Sequence, residues 1–166
     1  MNNKIRLQQI RESERKSHIE MYSSEKLFSE GSWLRKPIKT IQNLIPLFRN
    51  YCELNVLDLG CGVGRNCIAI AEQYQDIICT IDCVDLLPLA IEKLMQNARD
   101  YGVEQNIRGI LIPIEEYAIR ENHYDLIIAV SALEHIDSVE SFKNKLAEIS
   151  RGIRENGIVC LVINSE

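Results

Sequence analysis

The stretch Val56-Leu57-Asp58-Leu59-Gly60-Cys61-Gly62-Val63-Gly64-Arg65-Asn66 carries the strongest signal in the chain. An apolar run is interrupted by Asp58, three glycines alternate at 60, 62 and 64, and a pattern with helical spacing opens behind them. Glycine there lets the backbone turn sharply and lets another group approach the main chain, because no Cβ stands in the way. The apolar run reads as a strand and the segment after the glycines as a helix, so the glycines occupy a strand-to-helix loop.

Outward from this loop the alternation repeats. Strands are predicted over 55–59, 77–84, 108–112, 124–130 and 158–163, with helices over 64–74, 88–101 and 137–153. Pro88 suits a first helical turn and Gly102 a C′ position. Asp137-x-x-Glu140 reads as a capping box, and Asn156-Gly157 as a turn. The second, fourth and fifth strands are nearly unbroken apolar runs, which predicts burial on both faces of a parallel sheet. The pattern gives a doubly wound α/β fold with a mostly parallel sheet. With right-handed crossovers its order is 3-2-1-4-5, with a switch point between strands one and four. Ligands bind there, at the carboxyl ends of the strands, and the Gly60–Gly64 loop lies there too.

Upstream, Pro37 opens a predicted helix with Ile38, Ile41, Leu44, Ile45 and Phe48 along one side, which Pro46 bends or shortens. The first 30 or so residues are polar, with a loose helical pattern at Ile5, Ile10 and Ile19. Residues 1–36 therefore read as an N-terminal helical extension and candidate lid, and 37–166 as the ligand-binding domain.

A chain of 166 residues, 46% hydrophobic and 26% charged, suits a single soluble domain. Its net charge of −5 argues against nucleic acid as a partner. The stretch 31–50 is basic, with Arg35, Lys36, Lys39 and Arg49 and no acid, and reads as a solvated helix face. The six cysteines form no Cys-x-x-Cys pair and read as small buried hydrophobes in a reducing compartment. His18, His123 and His135 are too scattered for a metal site. With no signal-peptide pattern and no membrane-length apolar run, the expected location is cytoplasmic.

A glycine loop between strand and helix, at a switch point, suits an adenosine-containing cofactor, and spacing separates the classes. Gly-x-Gly-x-x-Gly, the dinucleotide fingerprint, needs its third glycine at 65, where Arg65 stands. What remains, Asp-x-Gly-x-Gly-x-Gly over Asp58 to Gly64, resembles motif I of the class I S-adenosylmethionine-dependent methyltransferases. The resemblance implies a cofactor site on Asp58, Gly60, Cys61, Gly62, Gly64 and Asn66. In it Asp58 lies near the cationic amino group of the methionine moiety, and Cys61 directs its backbone N–H at the cofactor. The next helix N-terminus can meet the cofactor's carboxylate.

Asp85, 21 residues after Gly64 and followed by Leu86-Leu87-Pro88, resembles motif II of the same family. There the acid accepts hydrogen bonds from the ribose hydroxyls and Leu86 packs near the adenine. Asp82 competes for the role but falls inside the strand. Tyr124-Asp125-Leu126 resembles the family's fourth strand, and counting back places the adenine-reading acid on Pro113. That leaves Glu115, or a backbone contact at Ile114, to reach the adenine, while Val130 and Ser131 end the fourth strand at the site.

Leu133-Glu134-His135-Ile136 resembles small-molecule methyltransferases of the quinone-biosynthesis type, and Gly64-Arg65-Asn66 those of the tellurite-resistance type. The resemblance covers about residues 50–163. It implies methyl transfer from S-adenosylmethionine to a small-molecule acceptor by in-line displacement. The expected form is a monomer or homodimer, without nucleic acid, membrane or metal. His135 is the candidate general base, against a purely structural role. Trp33 and Tyr22 either form part of a lid or anchor the first helix. The alternatives are a non-catalytic cofactor-binding module and a nicotinamide oxidoreductase, the latter disfavoured by Arg65. The family's sheet has seven strands. The apolar segment 158–163 is the fifth, so the expectation is a domain lacking the last two strands, or an edge covered by a partner.

Overall fold

β1 (Glu53–Leu59) carries apolar side chains on both faces and is buried along its length from Leu54 onward, Asn55 and Asp58 included. That burial fits its place at the centre of a sheet. β2 (Ile78–Asp85), β3 (Ile107–Leu111), β4 (Tyr124–Val130) and β5 (Ile153–Val162) complete an all-parallel sheet in the order β3-β2-β1-β4-β5. The structure is a computed structural model that describes residues 3–163. Helices α1 (Asn3–Ser24), α2 (Lys39–Leu44), α3 (Cys67–Gln73), α4 (Pro88–Asp100) and α5 (Val139–Gly152) surround the sheet. One core layer gathers Leu54, Val56, Ile68, Ile81, Leu94 and Ile128 against α3 and α4, and a second gathers Leu57, Leu59, Ile127, Ala129 and Ile149 against α5. Among the described residues, no helix is long and apolar enough to cross a membrane.

Several expectations shift. The predicted helix from Pro37 splits into α2 and a 3₁₀ turn at Ile45–Phe48, because Pro46 sits in its first turn and has no N–H to continue the ladder. α3 starts at Cys67, three residues later than predicted, since Gly64 takes φ +97°. α5 is capped by Ser138, whose hydroxyl accepts from the Ser141 N–H at 3.0 Å, and not by Asp137. β5 begins at Ile153 and carries the Asn156-Gly157 turn within it as a bulge, with Asn156 at φ +64°. β5 is not buried on both faces: it lies at the sheet's edge, and only Cys160 in it is fully buried.

Candidate cofactor site

The loop after β1 is pinned to β2. The N–H groups of Gly60 and Cys61 both donate to the Val84 carbonyl, at 2.8 and 3.0 Å, and the Gly62 N–H donates to Asp85 Oδ2 at 2.9 Å. Asp85 Oδ1 accepts from the Leu87 N–H at 2.9 Å, so one carboxylate ties the glycine loop to the start of α4. Each Asp85 oxygen keeps acceptor capacity beyond that bond. Gly60, Gly62 and Gly64 all have positive φ. A Cβ on Gly64 would stand 2.7 Å from Leu94 and 2.6 Å from Ile68, so this glycine serves the packing of the loop on α4.

Above the carboxyl ends of the strands lies a cavity of about 860 Å³, at the upper end of the range for small-molecule sites. Gly60, Cys61, Gly62 and Asn66 line it from the first loop, and Asp85 and Leu86 from the second. Pro113, Ile114 and Glu115 line it after β3; Val130, Ser131 and His135 line it after β4. Ser131 holds φ +50°, a costly conformation for a residue with a Cβ, and its N–H donates to the Val162 carbonyl at 2.7 Å. On the open side α1 contributes Glu12, Arg15, His18 and Tyr22. Tyr22 stacks on His18 at 5.8 Å between centroids, and His18 meets His135 edge-on at 6.2 Å. The three rings span the cavity from the glycine loop to the loop after β4.

A family model described as a methyltransferase domain matches residues 56–157 of this chain. The chain belongs to the methyltransferase domain family. The resemblance read from the two motifs therefore holds at the level of the family. Uncharacterized methyltransferase YcgJ of Bacillus subtilis is 29% identical over 145 residues, covering 87% of this chain and 51% of that protein. The ubiquinone biosynthesis O-methyltransferase of Rickettsia canadensis is 27% identical over 122 residues, covering 73% of this chain and 47% of its own. A SAM-dependent methyltransferase from Thiobacillus denitrificans, crystallised with S-adenosyl-L-homocysteine, shares the fold with a TM-score of 0.62 at 20% identity. That match covers 85% of this chain and 52% of the other. The methyltransferase domain described here thus spans about half the length of the curated relatives it matches.

Ten of the twelve cofactor residues read from the sequence lie on this domain's cavity wall, as does His135. Gly64 and Asp58 do not. Asp58 is buried behind the loop, and its Oδ2 has no hydrogen-bond partner among the described residues. Burial, with the nearby Asp85 charge, pushes its carboxyl up to about 7, opposed by a hydrogen bond with Cys67. Burial also raises Asp85, against the backbone N–H groups of Leu87 and Gly62 that favour its charged form. The expectation for the Cys61 N–H is corrected: it faces Val84, because the loop spends its donors on β2. Burial pushes the Cys61 thiol up to about 12, leaving it protonated.

Asp82 is settled by its partners. It accepts from Arg108 and Arg120, the latter at 2.8 Å, and from the hydroxyls of Tyr124 and Tyr117 at 2.8 and 3.2 Å. That network lies off the cavity wall. Sequence reasoning missed Arg65, Thr40 and Ile38 on the cavity wall, along with much of α1. Ile38, expected on the buried side of the helix after Pro37, and Thr40 reach the wall because that segment packs beside the glycine loop, where the Ile38 N–H donates to Asn66 Oδ1 at 3.2 Å.

The residues present fit S-adenosylmethionine. Asp85 offers an acceptor pair at one end, Leu86 and Ile114 offer apolar surface beside it, and the orphaned oxygen of Asp58 lies behind the glycine loop.

Proposed function

We propose that this chain is an S-adenosylmethionine-dependent methyltransferase that transfers the methyl group to a small-molecule acceptor by in-line displacement. The observation that carries the reading is the Asp85 carboxylate, bonded to the Gly62 N–H and facing the same 860 Å³ cavity as the loop. The bound cofactor supplies a methyl group already activated on a sulfonium, with a neutral thioether as leaving group. The chain's own task is then alignment and exclusion of water.

In this reading Asp85 accepts the ribose hydroxyls, Leu86 and Ile114 flank the adenine, and Glu115 reaches its edge. Asp58 offers negative charge to the amino group from behind the loop. Val130 and Ser131 border the cofactor at the end of β4, and Ile136 and Val162 wall the acceptor side. His135, on the same wall, takes the proton from an acceptor whose nucleophilic atom must be deprotonated. Residues 1–36 act as a lid through α1, with Tyr22 and Trp33 on the cavity wall supporting that role. The 860 Å³ space and the ubiquinone-pathway relative support an acceptor of small-molecule size.

Calorimetric titration with S-adenosylmethionine, S-adenosylhomocysteine and NAD, followed by an acceptor screen, tests the reading. Binding of the first two and not of NAD is expected. Failure of both to bind overturns the proposal.

A further inference from the structure

Glu12, Arg15, His18 and Tyr22 bring α1 to the cavity wall, while Lys16 and Glu20 stay off it. Their spacing of three, three and four residues is one face of a helix. Tyr22 covers the glycine loop after β1, its hydroxyl 2.7 Å from where a Cβ on Gly62 would stand. His18 meets His135, in the loop after β4, with 6.2 Å between ring centroids. The helix therefore runs from the end of β1 toward the end of β4, leaving Asp85 and Glu115 on the β2 and β3 side. At about 1.5 Å per residue, Arg15 and Glu12 come about 4.5 and 9 Å beyond His18. That direction carries them toward the side walled by Ile136 and Val162.

The protein leaves both of these charges unmatched. Among the described residues Glu12 and Arg15 form no ion pair, with each other or with a third group; the ion pairs of the domain engage other residues. The remaining charged residues of the wall are placed elsewhere. Asp85 accepts from the Gly62 and Leu87 N–H groups, and Glu115 follows β3. Arg65 is held at the α3 end of the glycine loop, by the Lys36 carbonyl at 2.6 Å and by the Trp33 ring. Glu12 and Arg15 thus stand as an acid and a base one helical turn apart, over the acceptor side of the cavity. A ligand with a lone anion there meets repulsion from Glu12, and one with a lone cation meets it from Arg15. A zwitterion answers both. The two ionic groups of an α-amino acid share one carbon. Cβ atoms three residues apart on a helix stand about 5–6 Å from each other, a gap that the longer side chains of Glu and Arg close onto such a pair.

We infer that the methyl acceptor is an amino acid, its ammonium held by Glu12 and its carboxylate by the Arg15 fork. Its apolar body lies along Ile136 and Val162, and a side-chain hydroxyl reaches His135. This rests on the proposed methyltransferase reading and goes beyond it by naming the acceptor class and the two residues that recognise it. An amine held as ammonium has no lone pair to attack with, so the hydroxyl is the nucleophile. Its oxygen bonds to the methyl carbon as the carbon–sulfur bond of the sulfonium breaks, its proton passes to His135, and the thioether leaves neutral.

Calorimetry tests this on the chain saturated with S-adenosylhomocysteine. The probes are L-tyrosine and L-3,4-dihydroxyphenylalanine, each beside its carboxamide, which lacks the carboxylate, and its deaminated acid, which lacks the ammonium. One of the two amino acids is expected to bind, and each of its analogues about tenfold more weakly, the lower end for a charged hydrogen bond. Arg15→Gln should weaken the amino acid about tenfold and leave the carboxamide unchanged; Glu12→Gln should weaken it similarly and leave the deaminated acid unchanged. Neither variant should alter S-adenosylhomocysteine affinity or the melting temperature. Analogues that bind as well as the parent, or variants that weaken all three probes equally, overturn the inference. So does a loss of S-adenosylhomocysteine affinity in either variant, which places the pair on the cofactor. A wild-type chain that binds S-adenosylhomocysteine and neither amino acid overturns this inference alone, whereas one that fails to bind S-adenosylhomocysteine and S-adenosylmethionine sinks the methyltransferase reading beneath it.

Discussion

Asp58 is a carboxylate kept where its charge is costly: fully buried, short of one partner, and within reach of the Asp85 charge. Its pKa rises from 3.8 to about 7 in the fold. A group raised in this way contributes stability that is fully present below its unfolded pKa and is lost as pH climbs through the folded value. Asp58→Asn should therefore melt like the wild type near pH ~4 and above it near pH ~8; thermal scans across that window check the sign. The same shift predicts ligand linkage. A sulfonium and an ammonium in the cavity favour the charged form of Asp58. S-Adenosylmethionine affinity should then fall as pH drops below about 7, by up to about tenfold per pH unit, and Asp58→Asn should flatten the slope. Asp85 differs because its oxygens are met by two backbone N–H groups on an open wall. Asp85→Ala should weaken cofactor binding by roughly 1.5–3 kcal/mol, the scale for charged hydrogen bonds. Unchanged calorimetric affinity would remove it from the site.

At the scale of elements, β2 carries two acids three residues apart with different duties. Asp82 sits in the sheet among four donors from β3, β4 and the segment between them, so it joins three parts of the fold. Burial opposes its charge, but the hydrogen bonds from Tyr124, Arg108 and Arg120 outweigh it and hold the carboxyl below its usual value. A depressed carboxyl stabilises above its unfolded pKa and loses that contribution as pH falls through the folded one. Asp82→Asn should cost about 3 kcal/mol at neutral pH, at the low end for a broken buried pair because both arginines remain half-exposed. The gap should narrow below pH ~4 in denaturant titrations. The parallel strands, their order and the glycine loop were legible because their signals are local: apolar runs, a glycine spacing, Pro88 and Gly102. What escaped was set by tertiary contacts. Lys145, 1% exposed, bonds the Tyr117 carbonyl at 2.5 Å and Glu148 at 2.7 Å inside α5, though lysine is among the residues least often buried. The Ser138 cap lay one residue from the reading because Asp137 and Ser138 are both good caps by type, and only the geometry selects between them. The edge position of β5 followed from the predicted strand order; its burial on both faces, expected from the apolar run, did not, since a strand pattern does not reveal which neighbours it finds.

Across the whole molecule, α1 is the element that crosses the open side of the cavity, through Glu12, Arg15, His18 and Tyr22. Its serines turn back on their own helix, Ser17 to the Ser13 carbonyl, Ser23 to Ile19 and Ser24 to Glu20, and Ile19 is exposed. The anchor comes just after its end, where Leu27 is buried, its carbonyl accepts from the Tyr101 hydroxyl at 3.1 Å, and Phe28 packs edge-on against the Tyr101 ring. The anchor lies outside the sheet, and α1 reaches the cavity from it through His18 and Tyr22. Tyr22 closes the far side: its hydroxyl lies 2.7 Å from where a Cβ on Gly62 would stand, so the ring covers the glycine loop directly. Cofactor under that ring should slow hydrogen exchange in α1, most strongly around His18–Tyr22, while β1 and β4 change little. Tyr22→Ala should speed cofactor release several-fold with a smaller effect on association, as interface changes act mainly on the off-rate. Tyr22→Phe keeps the stack on His18 and should stay near the wild type. If α1 exchanges at the same rate with and without S-adenosylhomocysteine, the helix is a fixed wall and the cofactor enters elsewhere.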